Sequence, residues 1–456
     1  MDRRDPEPRG EGKNGRARLL LANRSFVFFT ATRLFNILGI HALSVAVGWQ
    51  VYRMTGDPFD LGLVGFAQFA PVLALFLLAG YASDLFDRRA ILVICNVAHA
   101  VVAGLLLAFG MSGATAVGWI FAILVLNGAG RGFFHPASQA ILPNIVAPHL
   151  FPNAVAYATS MNKLGMLVGP AAGGVLIAVI GDWVYLAILV SFVVAAFSAG
   201  AIAVPLTIRS GEQMGLGTIF QGFDFIRRKK IVLGAITIDL LAVLFGGVMG
   251  LLPVFASDIL HVGPEGLGVM RATPAIGAIA VGIVLAQLSS PGRMGPALFA
   301  SLAAFAGSII VFSMSTWFWL SLLALAIYGA ADMVSVYVRH TLVQVATPDE
   351  MRGRVSAVNS VSINASNELG DFRAGVMAAW IGTAPAVLVG GIVTLFVGAV
   401  WWRSFPELAR VDRLDSLSTG GAPLTPARRE ETQRVGRPFG EDRPGDAPVA
   451  RPAGES

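Results

Sequence analysis

Long apolar runs separated by short polar connections dominate the chain from residue 24 to residue 403. Each run is close to the ~20 apolar residues that an α-helix needs to cross a bilayer. The pattern predicts an all-α membrane protein with twelve transmembrane helices in two groups of six. The predicted helices cover residues 26–52, 60–82, 90–111, 116–135, 154–181, 183–205, 231–257, 266–288, 296–314, 317–339, 355–380 and 383–403.

Charged residues are concentrated outside this apolar body. Of the 33 basic and 28 acidic residues, 27 lie in the terminal stretches 1–23 and 404–456. A soluble globule is excluded, because the body could not cover its surface with polar groups. In chain order, the pattern predicts a basic N-terminal tail (1–24), a first six-helix half (25–205), a central loop (206–230), a second half (231–404) and a disordered C-terminal tail (405–456).

Charges in the connections predict the orientation in the membrane. One set of connections carries arginine and lysine, including the cluster at 227–230, whereas the opposite set carries acids such as Asp57 and Asp258. The positive-inside rule places the loop 206–230 and both termini in the cytoplasm. We expect a multi-pass protein of a bacterial plasma (inner) membrane whose basic residues contact the lipid bilayer. Nucleic acid is not an expected partner, because no stacking aromatic residues or groove-reading motif accompany the basic residues.

The chain also contains an internal repeat. The sequence DPFDLG at 57–62 recurs in part as GPEGLG at 263–268, an offset of 206, and Pro148 recurs as Pro348. Two pseudo-symmetric six-helix halves in parallel repeat are typical of rocker-type secondary transporters. In such transporters the substrate site lies near the bilayer midplane, between the halves.

The fifth apolar run carries a glycine pattern. Gly165, Gly169 and Gly173 are four residues apart, and Pro170 and Gly174 complete it. Glycines at this spacing share a helix face and let another backbone approach closely, while the proline removes a helical hydrogen bond. Close packing alone would explain the spacing, but the full pattern resembles the antiporter signature of drug–proton antiporters in the major facilitator superfamily.

The connection after the second run resembles the superfamily's gate loop. Gly80, Asp84, Arg88 and Arg89 match that pattern, whereas Leu85 stands where the pattern has a base. The resemblance implies that Asp84, at a helix end, pairs with bases or with a neighbouring helix N-terminus and latches the cytoplasmic gate. Leu85 weakens this latch or shifts it to the two arginines.

Further phrases resemble one branch of the superfamily, the enterobactin-exporter-like, macrolide-efflux-related transporters. They are NRSF at 23–26, GWQVY at 48–52, Asp332-Met333 and RGRV at 352–355. The resemblance covers residues 23–407. It implies proton-coupled export, by alternating access, of a small amphiphilic molecule such as a siderophore or a drug. We expect a monomer whose other partners are this substrate and protons.

Ionisable residues inside the predicted helices are few, and each costs at least ~2.5–3.5 kcal/mol at the bilayer centre. The acids among them are candidates for proton coupling, because burial and mutual repulsion can make a carboxylate take up and release a proton. The alternative is that buried bases pair with these acids for folding alone. The candidate acids are Asp239, Asp332, Glu368 and Asp371, and the candidate basic partners are Lys163, Arg271 and Arg373.

Two further arginines have specific predictions. Arg33 and Asp239 are 206 residues apart, so they occupy equivalent places in the two halves, about 13 Å into their helices. We predict that they pair across the pseudo-twofold axis in one conformation; a fixed bridge to another helix is the alternative. Arg131 either has a role in proton transfer or extends its side chain to the membrane surface.

Uncharged polar residues and one histidine are candidates for lining a substrate cavity. For each of them, a structural contact between helices is the alternative. These residues are Asn36, His41, Gln68, Asn162 and Asn364.

Catalytic motifs are absent from the sequence. It contains no phosphate-binding Gly-x-x-x-x-Gly-Lys-Ser/Thr, no Gly-x-Ser-x-Gly and no pair of histidines four residues apart. The sequence therefore predicts no enzyme, no metal site and no cofactor, with the proton gradient as the energy source. A uniporter or lipid flippase on the same fold, or a receptor that transports nothing, are the alternative functions.

Overall fold

The computed structural model describes residues 13–203, 216–287 and 293–410, and these residues are almost entirely helical. In the first half, helix N-termini are capped by Asn23, Asp57 and Asp87, whose side chains accept hydrogen bonds from backbone N–H groups two or three residues on. Gly56 and Gly113 end two helices in the left-handed conformation. The helices are α1 (Lys13–Ala22), α2 (Arg24–Thr55), α3 (Pro58–Leu85), α4 (Arg88–Ser112), α5 (Gly118–Ile145), α6 (Phe151–Ile180) and α7 (Val184–Gly200), with short 3₁₀ turns at Pro148–Leu150 and Gly181–Trp183.

The second half has the same layout and follows a helix in the central loop. Its helices start close to the predicted boundaries. They are α8 (Leu216–Arg228) in the loop, then α9 (Lys230–Gly246), α10 (Leu252–Val254), α11 (Gly263–Gln287), α12 (Met294–Met314), α13 (Phe318–Ala346), α14 (Asp349–Ile381), α15 (Thr383–Ser404) and α16 (Pro406–Ala409).

Among the described residues, nine segments are long and apolar enough to cross a membrane. One of them, Pro148–Gly200, contains both α6 and α7. The helices α5 and α14, of 28 and 33 residues, also have the length of a bilayer span. The fold is the predicted multi-pass helical one, and these helices agree with the twelve predicted spans.

The seventh predicted helix is broken, which the sequence pattern did not predict. It stops at Gly246 and resumes through a 3₁₀ turn at Met249–Leu251, then α10, then a π-helical turn at Phe255–Ile259. Broken helices are tolerated at membrane depth only where protein or a cavity covers the free backbone groups.

The two halves pack together at one end of the bundle. We call this the far end; it is the end at which α2, α6 and α14 finish. There α6 packs on α11, and a Cβ placed on Gly174 would lie 2.7 Å from the Gly268 Cα. Likewise α3 packs on α14, and a Cβ on Gly375 would lie 2.7 Å from the Gly62 Cα. Only glycines allow these two helix pairs to approach so closely.

Two predicted segments contain helices that the sequence pattern did not predict. The central loop contains α8, which packs on α14; there Arg354 Nη1 donates to Gln221 Oε1. The C-terminal tail was predicted to be disordered from residue 405, but Leu408 is fully buried. It is held because Gly234 and Gly295 leave room for the segment around α16. The rest of that tail, from residue 411, lies outside the described residues.

Candidate functional site

A cavity of about 410 Å³ lies between the two halves. Its walls come from α2, α3, α5 and α6 of the first half, and from α11, α13, α14 and the break after α9 of the second. This is the location that two rocking halves predict. Its polar and charged lining residues are His41, Ser44, Gln68, Arg131, Lys163, Arg271, Tyr328, Asp332, Asn367, Glu368 and Asp371.

An ion pair crosses this cavity from one half to the other. Arg131 on α5 places Nη2 3.3 Å from Glu368 Oε1 on α14. Its Nη1 donates to Gln68 Oε1 over 3.3 Å, and Asn127 Nδ2 donates to the same oxygen over 3.1 Å. Arg131 therefore points into the cavity, and its side chain is only 34% exposed. Of the two predictions for Arg131, extension to the membrane surface is wrong.

Asp371 lies one helical turn from Glu368 and contacts the helix break. Its Oδ1 accepts the backbone N–H of Gly250 over 3.0 Å. A Cβ on Gly250 would lie 3.0 Å from the Asp371 side chain, so glycine is needed for this approach. The break thus brings a free backbone donor to a cavity carboxylate, which an unbroken helix could not do.

Arg271 on α11 reaches across the cavity to the first half. Its guanidinium donates to Ser44 Oγ on α2 and, over 3.3 Å, to the Met249 carbonyl in the break. Its Nε is buried and has no hydrogen-bond partner among the described residues. Within that part of the chain, Arg271 is therefore anchored by neutral oxygens and makes no direct bridge to an acid.

Lys163 and Asp332 both line the cavity, from α6 and α13 respectively. The structure shows no hydrogen bond or ion pair for either side chain within the described part of the chain. They are nevertheless near enough for the lysine charge to act on the carboxylate. They belong to opposite halves, so their separation changes when the halves move.

The predicted pairing of Arg33 with Asp239 is not present in this conformation. Asp239 forms an ion pair with Arg339 on α13, and both side chains are under a tenth exposed. Arg339 Nε also donates to Ser335 Oγ over 3.1 Å. The structure therefore shows the alternative, a bridge to another helix of the same half, since a buried carboxylate needs a close cation and Arg339 is nearer.

Arg33 remains within the first half. Its Cζ lies 5.6 Å from the centroid of the Phe29 ring, and its charge acts on His135 of α5. A cation over an aromatic face is stabilised by the ring quadrupole. Arg33 is therefore not the partner of Asp239 in this conformation.

Arg373 binds backbone carbonyls at the helix break and has no ion pair with an acid among the described residues. Its Nε and Nη2 donate to the carbonyls of Leu244 and Phe245 over 2.9 and 2.7 Å. These are carbonyls of the last turn of α9, which have no partner within their own helix. Its guanidinium also lies 5.5 Å from the Phe245 ring centroid.

The predicted cavity residues divide into two groups. His41 and Gln68 line the cavity, whereas Asn36 and Asn162 do not. Asn36 is buried inside the first half, because its amide donates to Asn96 Oδ1 and contacts His99 Nδ1 at 2.9 and 3.2 Å. For Asn36 the structural alternative is therefore correct, whereas the role of Asn162 stays a prediction, since its Oδ1 is buried without a hydrogen-bond partner among the described residues. The side chain of Asn364 lies outside what the structure describes.

The glycine pattern of α6 serves two neighbouring helices. A Cβ on Gly165, Gly169 or Gly173 would lie 2.6–2.9 Å from atoms of α2. Gly174 instead faces α11 of the other half, and the carbonyl of Pro170 faces the same helix. The pattern thus joins α6 to α2 within its half and to α11 across the far end.

The gate loop makes contacts within the first half. Arg88 donates to the carbonyls of Ser83 and Ala140 over 3.1 and 3.0 Å, and Arg89 donates to the Gly200 carbonyl. Within the described residues these two arginines bind carbonyls of their own half, and their role in the gate latch stays a prediction. Gly80 has open space around it, and the side chain of Asp84 lies outside the described part.

Comparison with known proteins gives one family. A model of the family described as transmembrane secretion effector matches residues 20–431. The chain is 24% identical over 421 residues to the enterobactin exporter EntS of Citrobacter koseri, covering 89% of this chain and 97% of that one. It is 23% identical over 407 residues to the same exporter of Escherichia coli O81, covering 86% and 94%.

Solved transporters have the same fold. A bacterial homologue of the human lysosomal transporter Spinster, inward-facing and unoccupied, superposes with a TM-score of 0.64 and 14% identity, covering 88% of this chain and 99% of that one. The inward-open xylose transporter XylE of E. coli gives 0.64 and 15%, covering 86% and 98%. At these identities the likeness shows the major facilitator fold alone.

Proposed function

The chain belongs to the transmembrane secretion effector family of major facilitator transporters, and we propose that it exports a small amphiphilic molecule in exchange for protons. As a member of that family it is a multi-pass membrane transporter and not an enzyme. Export is supported by curated relatives that are named as enterobactin exporters. A siderophore or a drug-like amphiphile is the proposed substrate class, and the site is the central cavity.

The observation that carries the proposal is the ion pair between Arg131 and Glu368. It joins the two halves across the cavity, with Asp371 one turn away on α14 and Asp332 lining the same cavity from α13. Protonation of Glu368 would remove its charge and release Arg131, so the halves would lose a contact. Alternating access coupled to protons needs such a link between charge state and the arrangement of the halves.

The proposal also covers the orientation in the membrane, the oligomeric state and the energy source. Both termini and the basic loop face the cytoplasm of a bacterial plasma (inner) membrane, in agreement with the positive-inside rule. In that orientation the far end is the outer end, and the described contacts between the halves close it. The protein works as a monomer, with the proton gradient and no cofactor as its energy source.

Transport in proteoliposomes tests the proposal. The purified full-length protein is reconstituted, and movement of enterobactin and of a panel of lipophilic drugs is measured with and without an imposed proton gradient. We expect at least one compound to accumulate against its gradient and to stop doing so when an ionophore collapses the proton gradient. Transport of a compound that does not depend on the proton gradient would indicate a uniporter or flippase. No transport of any compound would favour a receptor.

A further inference from the structure

The charges of the cavity are divided between the two halves. The first half contributes the cations Arg131 and Lys163, and the second half contributes all three carboxylates, Asp332, Glu368 and Asp371. The exception is Arg271, a cation of the second half whose guanidinium is already bound to Ser44 and Met249. The cavity therefore has a positive wall and a negative wall that face each other.

Most of these charges already have partners. Arg131 and Glu368 bind each other, and Asp371 accepts the N–H of Gly250. Lys163 and Asp332 have no hydrogen bond or ion pair within the described residues. They are thus a cation and an anion without a direct partner on opposite walls of the same cavity, with Arg339 and Lys163 both near enough for their charges to act on Asp332.

Resting on the function proposed above, we infer that the transported molecule is a dipolar amphiphile. Its acidic group binds Lys163 on the first half, and its basic group binds Asp332 on the second half. A ligand with a single charge would pair with one of these two groups and gain no counter-charge at the other. A ligand with both charges pairs with Lys163 and Asp332 at the same time.

The side chains around Lys163 and Asp332 indicate the chemistry of the ligand between its two charged groups. Met166 and Pro170 lie on the same helix as Lys163, and Ala275 and Ala278 line the wall beside Asp332. These side chains offer no charge and little hydrogen bonding, so an apolar face of the ligand can pack against them. A volume of about 410 Å³ is within the ~300–1,000 Å³ of sites for drug-sized molecules.

This ligand class agrees with exchange against protons. A basic group and a proton compete for the same carboxylate, so binding of the ligand at Asp332 displaces a proton, and protonation displaces the ligand. A purely anionic ligand would behave in the opposite way, since protonation of the acids makes the cavity more positive. The other ionisable groups in this environment are His41, Arg131, Arg271, Tyr328, Glu368 and Asp371, with the Asp239–Arg339 pair near enough to act on Asp332.

Binding to three related probes tests the inference. Norfloxacin carries a carboxylate and an amine, its ethyl ester carries the amine alone, and nalidixic acid carries the carboxylate alone. Dissociation constants are measured at neutral pH by isothermal titration on the full-length protein in lipid nanodiscs, without a proton gradient. We expect norfloxacin to bind at least about tenfold more tightly than either singly charged probe.

Two substitutions test which cavity side chain binds which charged group of the ligand. Lys163→Gln should remove the advantage of norfloxacin over its ester, and Asp332→Asn should remove its advantage over nalidixic acid. The matched controls Lys229→Gln and Asp182→Asn, at exposed positions outside the cavity, should change nothing. Equal binding of the three probes, no binding of norfloxacin, or an equal loss for all probes in both cavity variants would overturn the inference.

The inferred ligand class and the proposed proton-coupled export can fail independently of each other. If norfloxacin binds as expected but a proton gradient never drives its transport, the ligand class stands and proton-coupled export fails. If a gradient drives transport of compounds that bind without regard to the two charges, export stands and the ligand class fails. A double-mutant cycle on unfolding that shows strong coupling between Lys163 and Asp332 without ligand would also overturn the inference, since the two would then be partners of each other.

Discussion

Replacing Gly174 by alanine should open the far end of the transporter. The added Cβ would lie 2.4 Å from the Pro264 carbonyl oxygen and 2.7 Å from the Gly268 Cα, both in the other half. Contacts at ordinary van der Waals distance begin near 3.4 Å. The halves can accept the methyl group only by moving apart at this end, because the neighbouring atoms are backbone and cannot rotate away.

The size of the effect follows from this overlap. Adding a methyl group to a closely packed contact costs roughly 1–3 kcal/mol. The cost falls on the conformation in which the far end is closed, and disappears when the halves separate there. The ratio of open to closed molecules should therefore rise by about 5- to 150-fold.

Pulsed electron–electron resonance between spin labels measures this ratio. Labels are placed by Thr115→Cys in the first half and Thr316→Cys in the second, which are exposed positions at the far end, with Cys95→Ser to remove the native thiol. Gly174→Ala should shift the distance distribution towards longer separations. Gly307→Ala is the matched control, because a Cβ there meets nothing within 4 Å. An unchanged distribution in Gly174→Ala, or the same shift in both variants, would refute the reasoning.

Three further predictions concern stability and are checked by thermal unfolding in detergent. Arg373→Lys should destabilise the protein by about 1–3 kcal/mol, because lysine cannot bind both carbonyls at the end of α9; Arg403→Lys, at an exposed position, should change little. Asp239→Asn should cost roughly 3–5 kcal/mol by leaving Arg339 buried without its partner, whereas Asp239→Leu combined with Arg339→Met should recover part of that loss. Leu408→Ala should cost about 2–5 kcal/mol, since this side chain is fully buried; no effect would show that α16 does not pack on the second half in solution.

The fold followed from the sequence because the bilayer imposes a simple rule on helix length and polarity. Most helix ends lie within a few residues of the predicted ones, since capping residues such as Asn23 and Asp57 mark them. The break after α9 was missed because its residues are as apolar as a continuous span. Gly246, Gly247 and Gly250 were the available signal, since closely spaced glycines weaken a helix.

The candidate site was predicted in part. Asp332, Glu368 and Asp371 were named from the sequence and do line one cavity, because a charge inside a membrane helix needs a polar environment. Their partners could not be derived, since they depend on which helices become neighbours. Arg339 was not considered as the partner of Asp239, although the two form a buried pair. The role of these acids in proton coupling stays a prediction.

The central claim is that the charge of Glu368 couples protons to transport. The most direct test compares the wild type with Glu368→Gln in proteoliposomes, measuring both exchange of substrate at equal concentrations and accumulation driven by a proton gradient. The glutamine keeps the shape of the side chain and a hydrogen bond to Arg131 but cannot be ionised. We predict that Glu368→Gln retains exchange and loses accumulation. Full accumulation by this variant, at the same ratio of protons to substrate as the wild type, would contradict the account.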